Sequence, residues 1–228
     1  MIRHILVLCS FVTGIHAVTV GQVDTFEDGT TMNWFVPGAH PFPPANITTG
    51  GPAGVNDNFL MLTATGNPGA GGRLAVLNES QWQGNYLALG ITHIAMDLRN
   101  FGPQDLHLRL LFEDFPASPN LPPDNLALSA DAIMIPANSD WMRVLFPVTP
   151  SALASGGLGS ISGALMNVDT IRIFHNPLPE FGGPNAGPPL VNAVLGVDNI
   201  MAVPEPSTWL CSLMGIAALL AARKLRAG

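Results

Sequence analysis

The fold class this chain predicts is all-β: an antiparallel β-sandwich of about nine strands. Three observations carry that reading. Short runs along the chain alternate apolar and polar residues with period two, the signature of half-buried strands. Gly 24 and Pro 21 supply breakers between those runs without depleting the apolar content, which stays at 47%. The turn-rich composition therefore belongs to many short strands rather than to a disordered chain.

In chain order, residues 23–27 open the sandwich. Residues 59–63 follow the turn signal Gly50-Gly51-Pro52-Ala53-Gly54, and residues 74–77 follow Gly69-Ala70-Gly71-Gly72. Next, Ile94, Met96 and Leu98 share one face while His93, Ala95, Asp97 and Arg99 share the other. Leu106, Leu108, Leu110 and Phe112 repeat that pattern, which puts His107 and Arg109 on the opposite face. Residues 127–135, 141–146, 171–174 and 194–201 complete the set. A helical turn or two is expected within 151–166, started at Pro150-Ser151 and stopped by Gly156-Gly157. Three proline-rich loops cover 37–52, 115–124 and 176–189. Loops above about a dozen residues are usually functional or mobile.

The two ends read differently. Residues 1–17 have the plan of a secretory signal peptide: Arg3 and His4, an apolar stretch, then Gly14-Ile15-His16-Ala17 ending on a small residue. Residues 18–203 form the domain. In 204–228, Pro204-Glu205-Pro206 precedes an apolar run at about 208–222 and then Arg223, Lys224 and Arg226. Some fourteen helical residues reach only about 21 Å, short of the roughly 30 Å hydrocarbon core. The run suits a transient stop-transfer helix whose basic end stays cytoplasmic.

Removing the ends sharpens the composition. Cys9 and Cys211 both lie in end segments, so the domain is built without a disulfide. The chain has 9 Lys+Arg and 16 Asp+Glu, of which Arg3, Arg223, Lys224, Arg226 and Glu205 fall outside the domain. The domain thus keeps only arginines as cations and is strongly acidic. Such a surface repels nucleic-acid phosphates and suits neutral glycans, cationic partners or divalent metal ions. G-x-S-x-G and H-E-x-x-H are absent from the sequence, and the domain has no Cys/His pairing.

The C-terminal segment resembles the PEP-CTERM sorting signal of Gram-negative bacteria in Val203-Pro204-Glu205-Pro206-Ser207-Thr208, the apolar run and the basic end. The resemblance implies an exosortase as partner, cleavage near the triplet, and export to the cell surface or extracellular matrix after a membrane-tethered stage. The domain begins with Asp24-Thr25-Phe26-Glu27-Asp28-Gly29-Thr30 and ends with Gly196-Val197-Asp198-Asn199-Ile200. That pairing resembles jelly-roll carbohydrate-binding modules and related galactose-binding-like domains. It implies a jelly-roll sandwich with its first and last strands adjacent and a structural Ca²⁺ between them. Carried over by position, Glu27 and Asp198 are the first metal ligands, with Asp24 and Asp28 behind them; hard carboxylates suit calcium. The alternative is that Asp28-Gly29 is a turn and Asp198-Asn199 a strand-end cap.

For ligand contact the sequence offers Trp82 and Tyr86, expected to be exposed beside Gly84-Asn85, and the polar pair His107 and Arg109 with Glu113 beyond the strand. Together these features point to a non-catalytic surface or matrix protein that binds extracellular polysaccharide. Two other readings stay open: a glycan-active enzyme using Glu113 or Asp57, and a purely structural matrix protein.

Overall fold

The computed structural model describes residues 17–116, 121–181 and 187–205. Residues 1–16 of the expected signal peptide, Pro206 and the apolar run at 208–222 lie outside the described residues. Among the described residues no helix is long and apolar enough to cross a membrane.

The described elements are β1 (Val23–Asp24), β2 (Ala45–Ile47), β3 (Phe59–Thr65), β4 (Ala75–Asn78), β5 (Ile91–Asn100), β6 (Leu106–Asp114), β7 (Asn125–Ser129), β8 (Ile133–Ile135), β9 (Met142–Pro147), β10 (Leu153–Ser155), α1 (Ile161–Met166), β11 (Thr170–His175) and β12 (Asn192–Pro204). One sheet runs β2-β3-β12-β5-β9, with β1 also on β12. The second runs β10-β7-β6-β11-β4, with β8 on β6. The named strand pairs are all antiparallel. The sandwich expected from the sequence is present, and its first and last strands are neighbours: Val23 pairs with Met201 and Asp24 with Ile200.

The alternation explains the packing. Ile94, Met96 and Leu98 of β5, Leu106, Leu108, Leu110 and Phe112 of β6, and Leu195 and Val197 of β12 are fully buried in one core between the sheets. Each such side chain contributes about 1.5–3 kcal/mol by leaving water. β6 is buried on its other face too, because Leu111 joins Leu126, Leu128 and Phe174 in a second apolar cluster.

Three departures from the sequence reading have local causes. β2 lies inside the proline-rich stretch, where Asn46 Nδ2 donates to the carbonyls of Phe26 (2.6 Å) and Thr30 (2.8 Å) and draws that stretch beside β3. The run at 127–135 is two strands, β7 and β8, separated by a bend. Helix in 151–166 is split: a 3-10 turn at Pro150–Ala152 leads into β10, and α1 starts only at Ser160, whose Oγ accepts from Gly163 N at 2.9 Å. Gly156-Gly157 therefore follow a strand instead of ending a helix.

β12 continues past Val203. Pro204 pairs with Ile91, and Glu205 N donates to Gly90 O at 2.9 Å. The first residue of the Pro-Glu-Pro triplet belongs to the last strand of the sandwich.

Candidate functional site

The four expected metal residues do not assemble as one group. Asp24 is 1% exposed, and its Oδ2 accepts from Trp82 Nε1 (2.7 Å), Trp34 Nε1 (2.8 Å) and Gln81 Nε2 (3.0 Å). Burial raises its pKa, and the three donors work against that rise. Its charge is spent on two indoles. Asp28 is exposed and closes a turn by accepting from Thr30 N at 2.8 Å.

Glu27 and Asp198 do lie in one neighbourhood. Asp198 is 1% exposed, and its Oδ1 accepts from Asn199 N at 2.6 Å. The regular β12–β5 register ends with Asp198 directly opposite Asp97, and it breaks just after, at the left-handed Asn199 (φ 49°). Like charges facing across a strand pair are unfavourable. Arg143 relieves the crowding by pairing with Asp97 at 3.2 Å, and Asn199 Nδ2 donates to Asp97 at 2.9 Å. Burial first, then Asp57, Asp97 and Glu27, push the Asp198 carboxyl up to about 7. Glu27 Oε1 accepts from Asn58 N at 2.8 Å. Among the described residues, no three His, Cys, Asp or Glu side chains converge as a metal-holding group.

The expected exposure of Trp82 and Tyr86 is overturned. Both are fully buried. Tyr86 Oη donates to Trp82 O at 2.9 Å, and its ring meets Phe112 edge-on at 5.5 Å. The Gly84-Asn85 turn is pinned from outside: Gly84 N donates to Val168 O and Tyr86 N to Leu165 O. This drives both flanking rings into the core. Trp34 is buried beside them.

His107 and Arg109 project from the non-core face of β6 as expected, but four of the five Arg109 N–H donors are already taken by the protein. Arg109 is 3% exposed, and its guanidinium donates to the carbonyls of Asn176 (2.9 Å), Ser129 (2.7 Å), Ala130 (2.7 Å) and Pro177 (2.9 Å). It anchors the loop after β11 to the end of β7. Glu113 lies within β6, not beyond it, and pairs with the Arg172 guanidinium. Burial raises the Glu113 pKa and Arg172 lowers it. Arg172 also covers Phe181, which meets Phe174 edge-on at 5.2 Å. This loop roofs the outer face of the second sheet.

An open groove lies where that loop meets the start of β4. It has a volume of about 730 Å³ and is lined by Arg73, His175, Asn176, Leu178, Glu180 and Leu190, among others. His175 Nδ1 accepts from His107 N at 3.0 Å, so the ring proton sits on Nε2. Burial and His107 push the His175 pKa down to about 4, keeping the ring neutral. Arg73 Nε donates to Pro188 O. On its other side Arg73 borders a small hollow shared with His40 and Phe42, and Phe42 is 43% exposed. Gly71 (φ +81°) permits this approach, since a Cβ there would sit 2.8 Å from Pro41 Cγ. The sequence reading missed Phe42, Arg73 and His175 individually. The signal available was the two proline-rich loops, 37–52 and 176–189, each of which borders Arg73 in a separate depression.

No protein-family model matches the chain, and no curated protein matches it. Solved structures do share its fold. A family 11 carbohydrate-binding module from Clostridium thermocellum, described in complex with a β-1,3-1,4-mixed-linked tetrasaccharide, aligns with TM-score 0.50 at 14% identity over 82% of this chain and 97% of that one. An exo-β-agarase aligns with TM-score 0.56 at 12% identity over 82% of this chain and 26% of the enzyme. A further agarase gives 0.51 at 11% identity, with 82% and 24% covered. At such identities the likeness is one of fold. The class defined is an antiparallel β-sandwich with the fold these structures share, and the alignment spans about a quarter of either agarase.

Proposed function

We propose that the protein is an exported cell-surface or extracellular-matrix protein that binds polysaccharide without acting on it. The observation that carries this reading is the open groove around Arg73 and His175, set on a sandwich whose fold matches a carbohydrate-binding module over nearly that module's whole length. Small-molecule sites are typically concave and about 300–1,000 Å³, with a few polar groups among apolar ones. Export rests on the N-terminal segment. Exosortase processing at Pro204-Glu205-Pro206, after a stage tethered by the apolar run, rests on the sorting-signal resemblance. Ca²⁺ at Glu27 and Asp198 is part of the proposal. The crowding of Asp57 and Asp97 around a carboxyl that resists ionisation supports it, since a divalent cation would relieve that crowding.

Glu113 is paired with Arg172, which favours a structural over an acid-base role. That observation argues for binding over hydrolysis. The test is a glycan-binding screen of the domain, residues 18–205, with and without Ca²⁺. Binding at millimolar affinity or better, without product release, is expected. Self-association with no binding to any glycan would favour the purely structural matrix reading, and sugar release would favour the enzyme.

A further inference from the structure

We propose that the groove takes a neutral hexose chain, laid across Arg73 between the Phe42 ring and the His175 imidazole. The inference rests on the polysaccharide reading and adds the ligand's charge class and the residues that hold it.

The shape comes from close backbone approach. Phe42 lies beside Gly71, and a Cβ on Gly71 would come within 3.3 Å of the Phe42 ring. Leu190 lies against Gly72, where a Cβ would be 2.9 Å from Leu190 Cδ2. Arg73 therefore emerges between two apolar shoulders, and it borders both the hollow behind Phe42 and the larger groove. Its Nε–H is held by Pro188 O, which fixes the plane of the guanidinium fork.

The chemistry is complementary to a sugar. An aromatic face is electron-rich and attracts the polarised C–H groups of a pyranose face, and Phe42 is the exposed aromatic of this region. A planar guanidinium matches two adjacent hydroxyl oxygens. His175 adds a neutral Nε2–H donor, because its Nδ1 is already an acceptor. Glu180, exposed in the same groove, supplies an acceptor for a hydroxyl proton.

Charge decides against a uronate chain. Glu180 faces the groove, and the chain's net charge is −7. The other arginines among the described residues are engaged elsewhere: Arg109 on four carbonyls, Arg172 on Glu113, Arg143 on Asp97 and Arg99 near Asp140. One arginine beside one carboxylate gives the groove no net attraction for an anionic polymer.

The test titrates the full exported chain with mixed-linked β-glucan and agarose oligosaccharides as neutral probes, and with polygalacturonate as the anionic one. Neutral probes should bind and polygalacturonate should not. Phe42→Ala and Arg73→Met should each weaken binding roughly ten-fold or more, as contact residues at a binding centre do. Phe42→Ala should leave the melting temperature unchanged, so loss of binding cannot be blamed on unfolding. Leu145→Ala, exposed on the other sheet, should change nothing. Wild-type affinity retained in both Phe42→Ala and Arg73→Met would overturn the site while leaving the polysaccharide reading intact. Preference for polygalacturonate would overturn the ligand class. Failure to bind any glycan would sink the polysaccharide reading itself, and this inference with it.

Discussion

The indole N–H of Trp82 donates to Oδ2 of Asp24 at 2.7 Å, across 58 residues of sequence. Trp34 donates to the same oxygen at 2.8 Å, so one buried carboxylate holds two indoles whose rings lie 6.3 Å apart. This joins the first strand to the loop after β4. Asp24→Ala strands two buried N–H groups, at about 1–3 kcal/mol for each unsatisfied donor. Chemical denaturation should show a loss of at least about 2 kcal/mol. Unchanged stability would show that the carboxylate is not the hub. Trp82→Phe keeps most of the ring but loses the bond, and should cost about 1–3 kcal/mol while glycan affinity in the folded fraction is retained.

Asp198 and His175 give stability opposite dependences on pH. The Asp198 carboxyl is raised to about 7, so the native state holds its proton more tightly than the unfolded chain. Its contribution is full at low pH and is lost as pH rises towards about 7. His175 is lowered to about 4, so its contribution is full above its ordinary value and is lost as pH falls towards about 4. Asp198→Asn removes the first dependence alone. Melting curves from pH 4 to 8 should then rise with pH where the wild type is flatter. Identical profiles would refute the assignment.

Calcium at the same corner should act with the opposite sign. A cation near Glu27 and Asp198 favours the ionised carboxylate and brings the Asp198 pKa down. In EDTA the Asp198 contribution is lost as pH rises towards about 7, so excess Ca²⁺ should raise the melting temperature over the EDTA value increasingly from pH 5 to 8. The EDTA and calcium curves should converge at low pH, where the carboxyl is protonated. A calcium effect of equal size at every pH would point to a site elsewhere.

The parts of this fold that could be read in the sequence are those governed by period two. β5 and β6 show it most clearly: Ile94-Met96-Leu98 and Leu106-Leu108-Leu110-Phe112 are buried as their alternation required. β2 could not be read that way, because its place beside β3 depends on Asn46 reaching the Phe26 and Thr30 carbonyls. Trp82 and Tyr86 misled because Gly84-Asn85 reads locally as a surface turn. The bonds that bury them go to Val168 and Leu165, some eighty residues away. The Glu27–Asp198 neighbourhood was legible from the adjacency of the first and last strands. Asp97 was not, since it faces Asp198 only through the register of β12 on β5. The proline-rich loops marked the groove's region, but not Arg73 between them.

Arg109 should prove to be a loop anchor. Arg109→Met would leave the Ser129, Ala130, Asn176 and Pro177 carbonyls without their shared donor. Hydrogen bonds from a charged group are worth about 1.5–3 kcal/mol, and removing several at a buried site should cost about 2–4 kcal/mol in total. Amide exchange at 176–181 should accelerate most. Lysine should not rescue, because an ammonium cannot span the four carbonyls as the guanidinium fork does. Full rescue by lysine would mean that charge alone matters there.

Gly196 should be intolerant of a methyl group because of Trp141. A Cβ at Gly196 would lie 2.7 Å from Trp141 Cη2 and 3.0 Å from Phe101 Cε2. Trp141 cannot easily retreat: its Nε1 donates to Gly50 O at 2.9 Å, and its ring meets Phe59 edge-on at 5.3 Å. Overpacking of this kind costs about 1–3 kcal/mol. Gly196→Ala should therefore destabilise by that amount and shift the tryptophan emission. Backbone freedom is a rival cause, since glycine within a strand can be kept for its conformation. A double-mutant cycle separates the two. If contact is the cause, Gly196→Ala should cost little once Trp141→Leu has removed the ring, giving a coupling of about 1 kcal/mol or more. Strict additivity would place the cause in the backbone instead.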